Sequence, residues 1–346
     1  MVIDWIKHKS RRITLIKNGN KAERHIPVLL QSVLAGLKPL AGATVIDGTF
    51  GAGGYTRALL NEGADVIALD RDPHAICEGQ SLIDEFFPRL RLVQMEFSQL
   101  DSVAEEKVDA VILDIGVSSM QLDEAERGFS FQKDGPLDMR MAQVGFTASD
   151  VVNNFKVYDL TQIFKILGEE RHASRIARMI ERRRCVQPFL RTVDLADAIE
   201  ALIGRKPGDR IHPATRVFQA LRIYVNDEIG ELARGLFAAE RVLKAGGRLG
   251  VVSFHSLEDR MVKRFFSARS GRCSRSRYLP EISASPTTFL PLFKGGITAN
   301  EEEVKKNPRA RSARLRIGIR TETDSLSEDM KLFGLTKIVN FEGKKK

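Results

Sequence analysis

The sequence predicts an α/β protein built on a doubly wound, mostly parallel sheet, with a helical domain inserted between its fourth and fifth strands. Two observations carry this. From Thr44 onward, short runs rich in Val, Ile and Leu alternate with helical patterns, as in a parallel sheet covered on both faces. The run expected as the fifth strand then begins more than 130 residues after the fourth has ended, far beyond the dozen or so residues that a crossover needs.

Each element follows from local pattern. Ala43 to Asp47 is an apolar run ending in an acid, followed by a glycine-rich turn and a helix from about Tyr55. Asp65 to Asp70 repeats the scheme, and Asp72-Pro73 opens the next helix with proline at its tolerated first-turn position. Leu90 to Gln94 and Val108 to Leu113 read as the third and fourth strands. Arg248 to Ser253 reads as the fifth, after Gly246-Gly247 closes a helix. The chain between Asp114 and Arg248 is too long for a structureless loop. Its patterns are helical, over Leu160 to Leu167 with a stop at Gly168, over Arg171 to Arg184, and over Thr192 to Ile203 from a cap to Gly204. A helix from Pro213 leads back to the core, with Phe218, Leu221, Val225, Ile229, Leu232 and Leu236 as one continuous apolar face. Ser256-Leu257-Glu258-Asp259 resembles a capping box with Asp in the place of Glu. Leu315, Ile317 and Ile319 alternate with arginines as a late, half-buried strand. The expected division is a basic extension over 1–23, a core formed by 24–115 and 213–322, an inserted helical substrate-recognition domain over 116–212, and a polar tail over 323–346.

Composition narrows the class. The 346 residues are 43% hydrophobic, enough for a full core, and no apolar run approaches the eighteen or so residues of a membrane span. The first twenty residues carry Lys7, Lys9, Arg11, Arg12 and Lys17 without an apolar stretch or a small-residue cleavage site, so no secretory signal is expected. Cys77, Cys185 and Cys273 are far apart and unpaired in spacing, which fits a reducing cytoplasm with neither a disulfide frame nor a metal site. Lys and Arg number 54 against 45 acids, a net charge of +9. That excess favours a polyanionic partner, nucleic acid before a membrane surface.

Three strand ends carry candidate ligand contacts. The turn from Asp47 to Gly54 sits at a strand-to-helix junction, where glycines permit positive φ and close approach of a ligand. A dinucleotide fingerprint would need a third glycine at position 56, where Thr56 stands. A methyltransferase turn has an acid at the strand end and glycines four and six residues on, as Asp47, Gly51 and Gly53 are, although Thr49 replaces the glycine usual two residues after the acid. A tight turn without a ligand is the plain alternative. Asp70 ends the second strand, where an acid can accept both ribose hydroxyls of an adenosine ligand, in NAD enzymes as well; otherwise it begins the Asp70-Arg71-Asp72-Pro73 turn. Asp114 ends the fourth strand at the carboxyl edge where open α/β sheets bind ligands, and there it faces both cofactor and substrate or else caps the next segment. On these residues an S-adenosylmethionine-dependent methyltransferase, an NAD-dependent oxidoreductase and a non-catalytic RNA-binding assembly factor on a methyltransferase fold all stay open.

Longer strings add a resemblance. Asp47-Gly48-Thr49-Phe50-Gly51, Asp70 to Pro73, Asp114 to Ser119 with Gln121-Leu122-Asp123, Arg127 to Phe131, Gly135 to Met141, Gly168 to Arg171, His212 to Arg216, Phe218 to Ile223, Ser253 to Arg260 and Asn307 to Ala313 occur in order over about residues 24 to 320. In these the chain resembles the RsmH (MraW) family of 16S rRNA cytosine-N4 methyltransferases. The resemblance implies a class I S-adenosylmethionine-dependent methyltransferase core, an inserted helical domain that helps recognise RNA, and the 16S rRNA of the small ribosomal subunit as partner. Beside Gly51 of the turn, it implies cofactor contacts from Gly53, Gly54, Tyr55, Asp70 on the ribose, Phe97 near the adenine, Asp114 and Gln121. The family commonly has His where Tyr55 stands, so backbone contacts of that loop carry over and an imidazole role does not.

The implied chemistry assigns further roles. Cytosine N4 is a poor nucleophile because its lone pair is delocalised into the ring, so catalysis comes largely from positioning. An acceptor for the amino hydrogens localises that lone pair. Asp114 is the expected acceptor with Asp138 in reserve, although Asp138 is more ordinarily a loop acid paired with Arg140. His255 either orients base or phosphate or is structural. Arg171, Arg175, Arg178 and Arg182 recur at 4, 3 and 4, a stripe that RNA phosphates favour or a solvated face offset by Glu170 and Glu181. Thr215, Gln219, Arg222 and Asn226 form a second polar stripe, and Arg140 and Arg216 join the expected RNA contacts. Arg269, Arg272, Arg275, Arg277, Arg309, Arg311 and Arg314 add positive charge late in the chain. A cytosine entering such a pocket must be unstacked, which looped RNA allows. For one adenosyl-sulfonium ligand to be held, Asp47, Asp70 and Asp114 must line a shared cleft.

Overall fold

The structure, a computed structural model, describes residues 27–205, 208, 211–271 and 286–334, the side chains of Ser119 and Met120 excepted. Helix α1 (Leu30–Leu37) precedes β1 (Thr44–Asp47), α2 (Gly54–Asn61), β2 (Asp65–Asp70), α3 (Pro73–Glu78), α4 (Gln80–Phe86), β3 (Leu90–Gln94) and β4 (Val108–Asp114). Seven helices follow: α5 (Ser119–Asp123), α6 (Ala148–Asn154), α7 (Val157–Ile166), α8 (Ala173–Arg184), α9 (Thr192–Ile203), α10 (Thr215–Val225) and α11 (Glu228–Val242). Next come β5 (Leu243–Ser253), α12 (Ser256–Arg269), β6 (Phe289–Pro291), β7 (Ile297–Thr298), α13 (Glu301–Lys306) and β8 (Arg314–Arg320).

The strands lie in the order β3-β2-β1-β4-β5-β8-β6, with β7 beside β8. The first five are parallel, and β8 runs against β5. Alternate side chains enter opposite layers: Val45, Val66, Ala68, Ala110 and Ile112 pack under α1 and α2, whereas Ile46, Leu69, Val111 and Leu113 pack with α10, α11, α12 and the α6–α9 helices. Both faces of each central strand are therefore dry, which is why these strands read as unbroken apolar runs. From β1 the order moves outward to β2 and β3, then returns to β4 on the other side. That reversal opens a crevice at the carboxyl ends of β1 and β4, the usual ligand position of an open α/β sheet.

Several local expectations are corrected. The apolar face from Phe218 to Leu236 belongs to two helices, because Asp227 takes a left-handed φ of 47° between α10 and α11. Asn226 causes the break: its buried carboxamide accepts from Met141 N at 2.8 Å and donates to Met139 O at 2.7 Å, bonds that no local pattern reveals. Gly246-Gly247 does not end a helix. α11 stops at Val242, and the glycines lie within β5, where pairing jumps from Val108–Leu243 to Ala110–Arg248 and the extra residues bulge. The Thr192 hydroxyl accepts from Gly135 N at 3.1 Å and does not cap α9. The box opening α12 is His255 with Glu258: the imidazole accepts from Glu258 N, and the carboxylate accepts from His255 N. α8 begins at Ala173, leaving Arg171 just ahead of it.

Candidate active site

The glycine turn is tied to all three strand ends. Asp47 is fully buried, accepting from Thr49 N at 3.2 Å and from the Thr56 hydroxyl at 2.6 Å. Asp70 accepts from Gly51 N and Asp72 N, each at 2.8 Å. The Thr49 hydroxyl accepts from Asp114 N at 2.7 Å, clipping the β1 end to the β4 end. Thr49, the departure from the usual glycine, thus does work a glycine could not. Gly51 and Gly53 hold φ of 53° and 75°. A Cβ at Gly51 would meet little besides Ser118, at 3.9 Å, whereas one at Gly53 would press on the Phe50 ring at 2.9 Å. Gly51 therefore leaves its backbone open to the cleft, and Gly53 is required by packing. One correction follows: Asp47 is fully buried and braces the turn from behind, so it cannot line a cleft as expected.

These carboxyls are held above their ordinary range. Burial raises Asp47 to about 6, against the opposing hydrogen bonds of Thr56 and Thr49. Burial also raises Asp70, although the Asp72 and Gly51 amides favour its charged form. Asp114 is raised well above the usual value by burial, then by the charges of Asp47 and Glu258. Its Oδ1 is buried and has no hydrogen-bond partner, an arrangement worth about 1–3 kcal/mol of lost solvation. A ligand bringing positive charge and hydrogen-bond donors relieves all of this, and an adenosyl sulfonium has both.

A pH test isolates Asp47. Between its unfolded value near 3.8 and about 6, the folded chain keeps a proton that the unfolded chain has released. The apo fold therefore loses stability as pH rises through that window, by about 3 kcal/mol once it is passed. Urea unfolding of Asp47→Asn between pH 4 and 7 is expected to lack this component; the same pH slope in both proteins would exclude it.

Other expected cofactor residues fall around the turn. The Tyr55 side chain is buried, its hydroxyl donating to Val28 O, and burial, then the Asp114 and Asp47 charges, raise its phenol above the ordinary range. Gly54 makes room for Pro27, which a Cβ would meet at 2.4 Å. Phe97 stands just past β3; its ring fills the space beside Gly235 of α11, and its Cβ lies beside Gly48. Gln121 is buried, donating to Asp72 at 2.9 Å and accepting from Ser118 N at 3.2 Å; its amide braces α5 against the segment after β2. Thr56, where a dinucleotide turn needs glycine, is buried against Asp47.

Among the expected catalytic and RNA residues, Asp138 takes Arg140 Nε at 2.9 Å, its NH2 at 2.7 Å and its backbone N at 2.9 Å. Burial opposes ionisation there, but these bonds and the Arg140 charge outweigh it and hold the carboxyl below its ordinary range. Asp138 is the loop acid of the plainer reading. Arg222 also departs from expectation: it turns inward to Glu228 with bonds of 2.8 and 2.9 Å and is mostly buried. Gln219 donates to Leu167 O at 3.3 Å. His255 caps α12 through Nδ1, which accepts from Glu258 N at 3.4 Å, and its Nε2 lies 2.8 Å from the Glu258 carboxylate, which favours its structural reading. Arg269 is buried against Glu240 at 2.9 Å and adds nothing to the surface charge, while Arg272, Arg275 and Arg277 lie outside the described residues. Arg171, Arg175, Arg178 and Arg182 are all exposed and line one shallow concavity along α8. Arg216, in the first turn of α10, is exposed and donates to Glu169 O at 3.3 Å.

Sequence reasoning passed over a buried hub. Arg127 donates to Asp72 at 2.9 Å and to the carbonyls of Arg140 at 3.2 Å and Met141 at 3.1 Å. Asp72 also caps α3 through His74 N at 3.1 Å. With Asn226, this pair fixes residues 139–141, where Met139 is held at a φ of 65°. The cap at Asp72 was legible from Asp72-Pro73; its partner, 55 residues away, was not.

Residues 22–321 match the model of the MraW methylase family. A protein of Bartonella henselae named ribosomal RNA small subunit methyltransferase H is 82% identical over 346 residues, covering 100% of both chains. One of the same name from Brucella ovis is 63% identical over 321 residues, covering 91% of this chain and 93% of its own. Among solved structures, an rRNA methylase from Streptococcus thermophilus aligns with a TM-score of 0.37 and 11% identity over 86% of this chain and 99% of that one. No helix among the described residues is long and apolar enough to cross a membrane.

Proposed function

The chain belongs to the MraW methylase family, and from this we propose that it transfers a methyl group from S-adenosylmethionine to N4 of a cytosine in 16S rRNA of the small ribosomal subunit, acting in the cytoplasm. The observation that carries the reading is the buried, unpartnered Asp114 Oδ1 at the carboxyl end of β4, beside the glycine turn. When bound, S-adenosylmethionine supplies a methyl group on a positively charged sulfur. Asp70 keeps a free lone pair on each oxygen after accepting Gly51 N and Asp72 N, so it can receive the two ribose hydroxyls. Gly51 lets the ligand approach the backbone, and the buried acids favour its positive charge. Asp114 Oδ1 accepts a hydrogen of the cytosine amino group, localises the nitrogen lone pair for in-line attack, and takes the proton as the N–C bond forms. The exposed arginines of α8, with Arg216, attract RNA phosphates and make binding salt-dependent.

Nucleoside mass spectrometry of small-subunit rRNA, incubated with S-adenosylmethionine with and without the protein, tests this directly. N4-methylcytidine is expected only when the protein is present. Its absence, or a methyl group on another nucleoside, would overturn the reading.

A further inference from the structure

Past the end of β5, the start of α12 forms one wall of a concavity lined by Ser256, Arg260, Lys263, Ser312 and Arg314. It adjoins the active site. Gly116, two residues beyond Asp114, lies against the Phe254 ring, and Glu258, which accepts from Phe254 N at 2.8 Å, is near enough to act on the Asp114 charge. Asp259 in the same wall is already neutralised by Arg316 through bonds of 2.7 and 3.0 Å. Arg314 is only loosely held by the same carboxylate, at 3.9 Å, so Arg260, Lys263 and Arg314 present three exposed cations to one open concavity.

An internal anion reaches the rim of that space. Glu169, in the connection between α7 and α8, accepts from Arg260 NH2 at 2.6 Å with one carboxylate oxygen and from the Ser256 hydroxyl at 2.7 Å with the other. These two bonds, then the charges of Arg260 and His255, keep its carboxyl below the ordinary range, so it is an anion at neutral pH. Its φ of 49° is a left-handed conformation that a non-glycine residue adopts at a cost. Both members of the Glu169–Arg260 pair are nearly half exposed, 45% and 46%, and such pairs contribute little and exchange readily. Two acceptor oxygens, one on a guanidinium and one on a hydroxyl, are also what a phosphodiester offers.

With rRNA methylation as the reaction, we propose that this concavity seats an RNA phosphodiester flanking the target cytosine, and that Glu169 fills its rim in the free enzyme as an internal anion displaced by the RNA. The substrate phosphate takes over Arg260 and Ser256 and gains Lys263 and Arg314. Glu169 thereby links the α7–α8 connection to substrate arrival.

The full-length protein tests this with small-subunit rRNA as the probe, by measuring kcat and KM for RNA, S-adenosylmethionine affinity by titration, and the salt dependence of RNA binding. Glu169→Gln keeps the side-chain length and removes the charge. It is expected to lower KM for RNA about threefold to fivefold and to leave cofactor affinity unchanged. Arg260→Ala is expected to raise that KM about tenfold and to reduce the salt slope by about one. A Glu169 that merely tethers two elements gives the opposite sign: Glu169→Gln with unchanged or raised KM overturns the proposal, whether or not Arg260→Ala folds. Loss of methyl transfer to rRNA in the unsubstituted protein would strike the functional reading itself, whereas normal transfer without tightening in Glu169→Gln strikes only the displaced anion.

Discussion

Asp114→Asn is expected to reduce turnover by about two orders of magnitude or more while the protein stays folded. Asparagine preserves shape and one acceptor oxygen but cannot take the amino proton as the methyl group arrives. The backbone clip from Asp114 N to the Thr49 hydroxyl does not depend on the side chain, so the glycine turn stays in register. Because burial and the Asp47 and Glu258 charges push the Asp114 carboxyl well up, its ionised form is depleted at low pH. Turnover of the unsubstituted enzyme should therefore climb as pH rises through that raised value, and the residual turnover of Asp114→Asn should lose this limb. Single-turnover methyl transfer to rRNA across the pH range reads both. A variant that keeps most of its turnover with unchanged cofactor affinity removes Asp114 from the role.

Arg127→Met should be the most destabilising of the substitutions considered, by about 3–5 kcal/mol. Its guanidinium is 11% exposed and its partner Asp72 only 3% exposed, so methionine leaves a carboxylate buried without its cation. Two carbonyls, of Arg140 and Met141, lose a donor in the same step. Adding Asp72→Asn to Arg127→Met should recover part of the loss, since the stranded charge is then gone, although the α3 cap and the Gln121 contact are weakened. Urea denaturation of the three proteins measures this. A loss below about 1 kcal/mol for Arg127→Met would show that the pair is as weak as a surface one.

What local pattern could carry, it carried well. β2, β3 and α9 lie where their residues predicted, because a strand buried on both faces and a helix with one apolar face leave periodic marks. The run of helices between β4 and β5 was legible as an arithmetic excess of chain. Sites read from stripes fared unevenly: the α8 arginines are exposed as a stripe should be, but Arg222, on an equally regular stripe, turns to Glu228. Periodicity tells which residues share a helix face; it does not tell what the face meets. The same limit merged α10 with α11, since Asn226 breaks the helix for the sake of carbonyl and amide groups more than 80 residues away.

By itself, the amino-acid order determined the layered α/β class, the acids closing β1, β2 and β4, the glycines of the turn and the surplus of positive charge. All of these depend on neighbours within a few residues or on simple sums. Only the tertiary structure decided that Asp47 braces while Asp114 Oδ1 stands bare, that Asp72 belongs to Arg127, and that Glu169 lies on Arg260. Charge and hydrogen-bond partners are chosen by proximity in space, and burial sets how strongly each choice acts.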